Sequence, residues 1–247
     1  MNIIQTSWQT DDDGLAVLNY FKNNKIAFQI LTKDSILKLK PRKIKSIFAD
    51  TDVIQTLLSE YLKIKKTIPT YPKCFESLYK REIKALPWKD CSKLKLPYFV
   101  KPYTNDKLFE AVVIKNKWDY MYVDDHLQTN TLVYYSPVVK FLNEFRVFIG
   151  NNKIYAVVES TKFVLNNNDI SKEVSSKPPK EFLNQILTQN NLGYCVVDIA
   201  LKEVAQNKPE WCVVEVNPPY AISGYGLEIE TYIQYNQDTW EYLLKYR

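Results

Sequence analysis

Three oxygen-bearing side chains, Asp198, Glu215 and Asn217, fall inside two short apolar runs, Tyr-Cys-Val-Val-Asp-Ile-Ala (194–200) and Trp-Cys-Val-Val-Glu-Val-Asn-Pro-Pro (211–219). Side chains alternate between the faces of a strand, so Glu215 and Asn217 should share a side with Val213. If the two runs pair as a hairpin across residues 202–210, Asp198 joins them. Carboxylates on strands this hydrophobic are costly unless something compensates their charge. A hard divalent cation such as Mg²⁺ would do so, because it takes oxygen ligands. A carboxylate pair at a strand end, solvated or bridged by a lysine, fits the same residues, and the pattern alone leaves both open.

Three more charged residues interrupt apolar patterns. Lys101 ends Pro-Tyr-Phe-Val-Lys-Pro (97–102), and Glu144 and Arg146 alternate with Phe145, Val147 and Ile149. Each has a plain structural reading, a snorkelling edge lysine for Lys101 and a weak ion pair on a half-exposed strand for Glu144 and Arg146. The single histidine, His126, lies in a polar Val-Asp-Asp-His run that reads as a hairpin turn.

The elements that must position these groups follow from periodicity. Strands are expected at Asn2–Gln5 and Ile26–Leu31, a helix after the acidic start Asp11–Asp13, and a strand, turn and helix over Ile47–Tyr61. This alternation predicts a small α/β unit over residues 1–66. The segment Thr-Ile-Pro-Thr-Tyr-Pro (67–72) reads as a linker, since two prolines so close resist helix and central strand alike. Beyond it the pattern predicts a helix over Cys74–Leu86 carrying Arg81. Strands are expected at Tyr98–Lys101, Glu110–Ile114, Asp119–Tyr122, Thr131–Val138, Glu144–Gly150 and Lys153–Val158. A polar loop over Leu165–Pro179, a helix over Glu181–Gln189, the two carboxylate strands and a closing helix over Thr239–Tyr246 complete the chain.

Composition narrows the class. The 247 residues are 46% hydrophobic and 25% charged, ordinary for a globular protein of one large or two smaller domains. With 33 basic and 28 acidic residues the net charge is only +5, and the densest basic stretch, Lys38 to Lys45, reads as a solvated face. No aromatic platform or base-reading motif accompanies it, so nucleic acid is not the expected partner. Cys74, Cys91, Cys195 and Cys212 lack the paired spacing of a zinc site. Cys195 and Cys212 sit at positions of opposite parity to the carboxylates and read as buried small hydrophobes. No apolar run approaches the roughly 18 residues that span a bilayer, so no membrane partner is expected, and the expected compartment is the cytoplasm, or the nucleus in a eukaryotic host.

The order of parts is more specific than any one of them: strand with Lys101-Pro, hairpin, hydrophobic strand Leu-Val-Tyr-Tyr-Ser-Pro-Val-Val (132–139), Glu144-x-Arg146, Asp198, then Glu215-x-Asn217-Pro. Over residues 70 to 230 this order resembles the ATP-grasp superfamily. The closing segments resemble RimK-type glutamate ligases. Glu-Phe-Arg-Val-Phe-Ile-Gly-Asn-Asn-Lys-Ile (144–154) is similar to a divergent clade that includes the eukaryotic assembly chaperone of translation initiation factor two.

The resemblance implies an α+β fold of two lobes, about 67–135 and 136–247, with a nucleotide cleft between them and residues 1–66 as a preceding domain. It implies ATP and Mg²⁺ as cofactors. Arg81, Lys101 and Lys107 would contact phosphates, Tyr135, Ser136 and Val138 would hold adenine at the hinge, and Glu144 would lie near ribose or metal. Arg146 would be the catalytic cation at the γ-phosphate or the acyl-phosphate, and Asp198, Glu215 and Asn217 the magnesium ligands. The implied activity is joining a carboxylate to an amine, the acceptor being a peptide, a protein or a small metabolite; the alternative is a non-catalytic, ATP-binding assembly factor. Phosphoryl transfer works mainly by positioning and charge neutralisation, which cations and acidic metal ligands can supply without a protein nucleophile. Two departures stand out. The loop after Lys101 (102–109) has no glycine, and the hinge carries Ser136-Pro137 where an acidic ribose contact is common.

Overall fold

The computed structural model describes residues 1–61, 63, 68–104, 108–160, 177–205 and 208–245. Three sheets organise them. The first is parallel, with β1 (Asn2–Gln5) between β2 (Phe28–Leu31) and β3 (Ser46–Phe48), joined through helices α1 (Asp12–Asn23) and α2 (Lys33–Leu37) and followed by α3 (Thr51–Tyr61). Asp11 caps α1 by accepting from the amides of Asp13 and Gly14, as the acidic start implied.

The second sheet is antiparallel, in the order β4 (Lys84–Pro87), β7 (Leu132–Pro137), β5 (Tyr98–Pro102), β6 (Val112–Ile114). A short helix α4 (Trp88–Cys91) follows β4. The third, also antiparallel, runs β11 (Glu210–Asn217), β10 (Cys195–Lys202), β8 (Phe141–Gly150), β9 (Lys153–Glu159). Residues 138–140 connect the two antiparallel sheets, giving the expected α+β pair of lobes.

Two expectations fail for local reasons. Cys74–Leu86 is not one helix: a 3-10 turn spans Lys73–Leu78, Lys80 takes a positive φ of 51°, and β4 follows. Arg81 therefore sits in a connection, not on a helix face. Asp119–Tyr122 is not a strand but lies in α5 (Lys117–Asp124). Asn116 and Asp119 form a reciprocal capping box that outweighs the apolar-polar alternation. His126 consequently lies just past the end of a helix and not in a hairpin turn, its Nδ1 2.7 Å from the Tyr122 carbonyl. Of the polar loop expected at Leu165–Pro179, residues 165–176 lie outside the described residues.

Helices α6 (Lys180–Gln189) and α7 (Ile229–Lys245) complete the packing, α7 beginning ten residues before the expected closing helix. One face of the third sheet, with Phe145, Val147, Ile149, Cys195, Val197, Ile199 and Val213, is closed by Phe75, Leu78 and the apolar side of α6. On the opposite face Phe148 and Val196 pack on Tyr235 of α7. The far side of α7 turns to the first sheet, where Asn236 accepts from the Ile47 amide at 3.1 Å and donates to its carbonyl at 3.0 Å. Trp240 is buried there with Ile47, Ile54 and Leu57. One helix thus ties the parallel sheet to the antiparallel one. Among the described residues no helix is long and apolar enough to cross a membrane.

Candidate active site

Arg146 on β8, Asp198 on β10 and Glu215 on β11 are direct cross-strand neighbours, forming one row across three strands. They occupy the face that carries Val196, beyond the stretch covered by α7. The Arg146 fork meets the Asp198 carboxylate at both ends, Nε to Oδ1 at 2.8 Å and Nη2 to Oδ2 at 2.9 Å. Both side chains are about nine-tenths buried. Asn217 Nδ2 donates to Asp198 Oδ2 at 2.9 Å and lies 3.5 Å from Glu215 Oε1. From the other antiparallel sheet, Lys101 Nζ donates to Glu215 Oε2 at 2.6 Å. The trio expected from the sequence is therefore gathered, and Glu215 shows the lysine-bridged arrangement that the residues alone had left open.

A β-bulge decides which way these groups face. Asp198 pairs with Glu215 but Ile199 pairs with Val213, leaving Val214 as the extra residue. Strict alternation placed Val213 beside Glu215. Instead Val213 and Val216 both lie in the core beneath the sheet. The bulge also reverses Cys212, which pairs with Ala200, itself opposite Glu144, and so shares the carboxylates' face, although it is buried as expected. All four cysteines are free thiols.

Electrostatics are strongest at the buried acids. Burial pushes the Asp198 carboxyl above its ordinary value, and the Arg146 fork and the Asn217 amide oppose that rise. For Arg146, burial works against the charge, yet hydrogen bonding to Asp198 and its charge prevail and raise the pKa. Glu144 is pushed up to about 7, by burial first and then by the charges of Asp198 and Glu215, with Arg146 and Arg81 pulling the other way.

The remaining expected residues are placed less uniformly. Arg81 donates to main-chain carbonyls, Nη1 to Val213 at 3.0 Å and Nη2 to Val214 at 2.7 Å. Tyr135 pairs with Lys84 on one side and Val100 on the other, so it lies within the ladder of the second sheet. Ser136 is buried, its hydroxyl donating to the Pro137 carbonyl, while Val138 is exposed past the end of β7. Lys107 lies outside the described residues.

Three contacts of the loop after β11 are not legible in the sequence. Arg146 Nη1 donates to the Ser223 carbonyl at 3.0 Å, and its guanidinium lies 4.4 Å from the Tyr225 ring centroid. The Gly224 amide donates to Asp13 Oδ2 at 3.0 Å, so an α1 carboxylate holds the loop after β11. The partners are 211 positions apart, so no local pattern could have signalled the contact. That loop also carries Ala221 and Tyr225 at positive φ of 52° and 49°, backbone strain beside a candidate site.

A cleft of about 440 Å³ opens beside the row, lined by Lys101, Phe109, Glu215, Asn217, Tyr220 and Ile222 among others. Its size suits a small-molecule site. Among the described residues no three His, Cys, Asp or Glu side chains gather as a metal cluster. The two carboxylates and the amide offer hard oxygen donors of the kind that would fit Mg²⁺.

A family model described as an ATP-grasp domain, the second family of its clade, matches residues 78–235, which contain every element of the row. The chain belongs to the ATP-grasp superfamily. Solved structures support the fold of this ATP-grasp chain over nearly its whole length. It is similar to D-alanine–D-alanine ligase from Bacillus anthracis complexed with ATP, with 16% identity, TM-score 0.59 and 99% of each chain covered. It is similar also to a RimK domain ATP-grasp protein from Sphaerobacter thermophilus, with 9% identity, TM-score 0.56, and 99% of this chain and 100% of that one covered. The ATP-grasp ligase PsnB complexed with minimal precursor gives 9% identity, TM-score 0.53 and 98% coverage of both chains. No match was found among curated proteins.

Proposed function

We propose that this ATP-grasp chain is an ATP- and Mg²⁺-dependent carboxylate–amine ligase that works through an acyl-phosphate. The supporting observation is the row Arg146–Asp198–Glu215, closed at 2.6 Å by Lys101 from the facing sheet and bordered by the cleft. Two cations, two carboxylates and an amide from both lobes meet at one point, which is what a triphosphate and its metal require. Residues 67–247 are the ligase domain in this reading, and residues 1–66 an α/β unit preceding it.

Asp198, Glu215 and Asn217 would hold magnesium, which when bound supplies neutralisation of phosphate charge. Lys101 and Arg146 serve the phosphoryl group: Lys101 as a point charge, Arg146 as a planar fork suited to two oxygens at once. Lys107 and the hinge residues Tyr135, Ser136 and Val138 are assigned to nucleotide, and Glu144 to the ribose or metal edge. The substrate carboxylate oxygen bonds to the γ-phosphorus as the bond to ADP breaks. The amine nitrogen then bonds to the acyl carbon, the carbon–oxygen bond to phosphate breaks, and the amine proton passes to solvent. Peptides and proteins are the acceptor class favoured, by analogy with PsnB and its minimal precursor.

The test is Mg²⁺-dependent release of ADP, not AMP, that rises with a carboxylate and an amine together. Binding of Mg·ATP with no turnover over a broad acceptor panel would replace catalysis by the assembly-factor role. A covalent protein–AMP adduct would overturn both.

A further inference from the structure

Arg81 is the residue whose placement the proposed ligase chemistry does not absorb. The family resemblance implies a phosphate contact for it, yet its guanidinium donates to two successive carbonyls, Val213 at 3.0 Å and Val214 at 2.7 Å, with a third bond to Tyr79 at 3.3 Å. It lies between two rings, 5.9 Å from the Tyr71 centroid and 5.6 Å from Phe141. The two carbonyls belong to the bulge of β11, where Val214 has no partner on β10. An extra residue in an antiparallel strand leaves main-chain groups outside the ladder, and such groups need a partner.

The bulge is what gives Glu215 and Asn217 their face. Side-chain period is two, so a slip of one residue would carry both into the core where Val213 and Val216 now lie. A planar fork that spans adjacent carbonyls pins the extra residue at Val214 and prevents the slip. On the far side of the bulge the Val216 amide donates to the Thr70 carbonyl at 2.9 Å, so the strand is held at both ends of its irregular step.

We propose that Arg81 is a positioning residue that acts through the β11 bulge to aim Glu215 and Asn217, and that it is not a nucleotide ligand. The link to metal binding rests on the function proposed above; the link to the bulge does not.

Backbone hydrogen exchange over residues 213–217 and titrations with ADP, with and without Mg²⁺, test this in the full chain carrying Arg81→Lys or Arg81→Met. A lysine keeps the charge, which suffices for a phosphate contact, but one ammonium cannot reproduce the fork. Exchange at Val214–Asn217 should rise about tenfold or more in both variants, as expected for losing bonds from a charged donor. Metal-free ADP affinity should stay within about twofold, while the Mg²⁺ concentration needed for tight binding rises about tenfold.

Arg81→Met weakening metal-free ADP as much as Lys101→Met does, with Arg81→Lys restoring it, overturns the proposal. Unchanged exchange overturns it as well. If Arg81→Met does not fold, Phe141→Leu loosens the stacking with the guanidinium intact and should raise exchange at the same residues by a smaller factor. Should the native chain bind no nucleotide, the ligase reading falls, and the exchange measurement alone decides for or against the clamp.

Discussion

Arg146 and Asp198 stand directly opposite each other on adjacent strands and share two parallel hydrogen bonds of 2.8 and 2.9 Å, both side chains withdrawn from solvent. A pair this deep is costly to break from one side, because the survivor keeps a buried, uncompensated charge.

Arg146→Met should therefore destabilise the chain by about 3–5 kcal/mol. Urea unfolding measures it. Arg146→Lys should cost less but lower ligase turnover far more than Mg·ATP affinity, since charge remains and the fork is gone. Equal losses in turnover and affinity would remove its transition-state role.

The second cation pair makes a different prediction. Lys101 and Glu215 are 2.6 Å apart and only partly buried, so a Mg²⁺ ion held as proposed would compete with the ammonium for the carboxylate. Lys101→Met should tighten Mg²⁺ binding to the nucleotide-free chain and weaken metal-free ADP binding. Calorimetry on both ligands checks the opposite signs; weakening of both would show that Lys101 does not oppose the metal.

Glu144 sets a pH dependence. Its folded pKa of about 7 exceeds the ordinary 4.5, so the native state holds a proton that the unfolded chain has already lost. Its contribution is intact below about pH 4.5 and is lost as pH rises through about 7. The difference is at most about 3 kcal/mol, and smaller where water reaches the carboxyl. Glu144→Gln should flatten stability between pH 5 and pH 8, and an unchanged slope would place the titration elsewhere.

Ligand confined to the native state must raise the melting temperature. At about a hundredfold excess over Kd the gain is about 2.7 kcal/mol, or roughly 5–10 °C for a chain of this length. Chelating Mg²⁺ should abolish most of the shift, and Asp198→Asn should reduce it, at ATP concentrations that saturate the native chain. A shift insensitive to chelation would detach the trio from metal.

Legibility varied with the range of the interactions. The apolar runs around Asp198 and Glu215 announced themselves as strands, and the acidic start of α1 was plain at Asp11, because neighbouring residues carry those signals. Arg81 was misplaced on a helix because Cys74–Leu86 has helical apolar spacing, while the turn at Lys80 is a property of backbone conformation. Asp119–Tyr122 was misread because a capping box four residues wide outweighed alternation across the same positions.

What residue order alone determined was the set of chemical parts: Lys101, Arg146, Asp198, Glu215 and Asn217, each marked by a polar group within an apolar run whose burial demands a partner. Only tertiary structure decided who that partner is, and which way each group faces. Strand order placed Arg146 and Glu215 on either side of Asp198, and the extra residue Val214 turned Glu215 and Asn217 out of the core. The physical reason is that alternation is local, whereas a bulge and its clamp depend on groups such as Arg81, 132 residues from Val213, meeting only when the sheet is assembled.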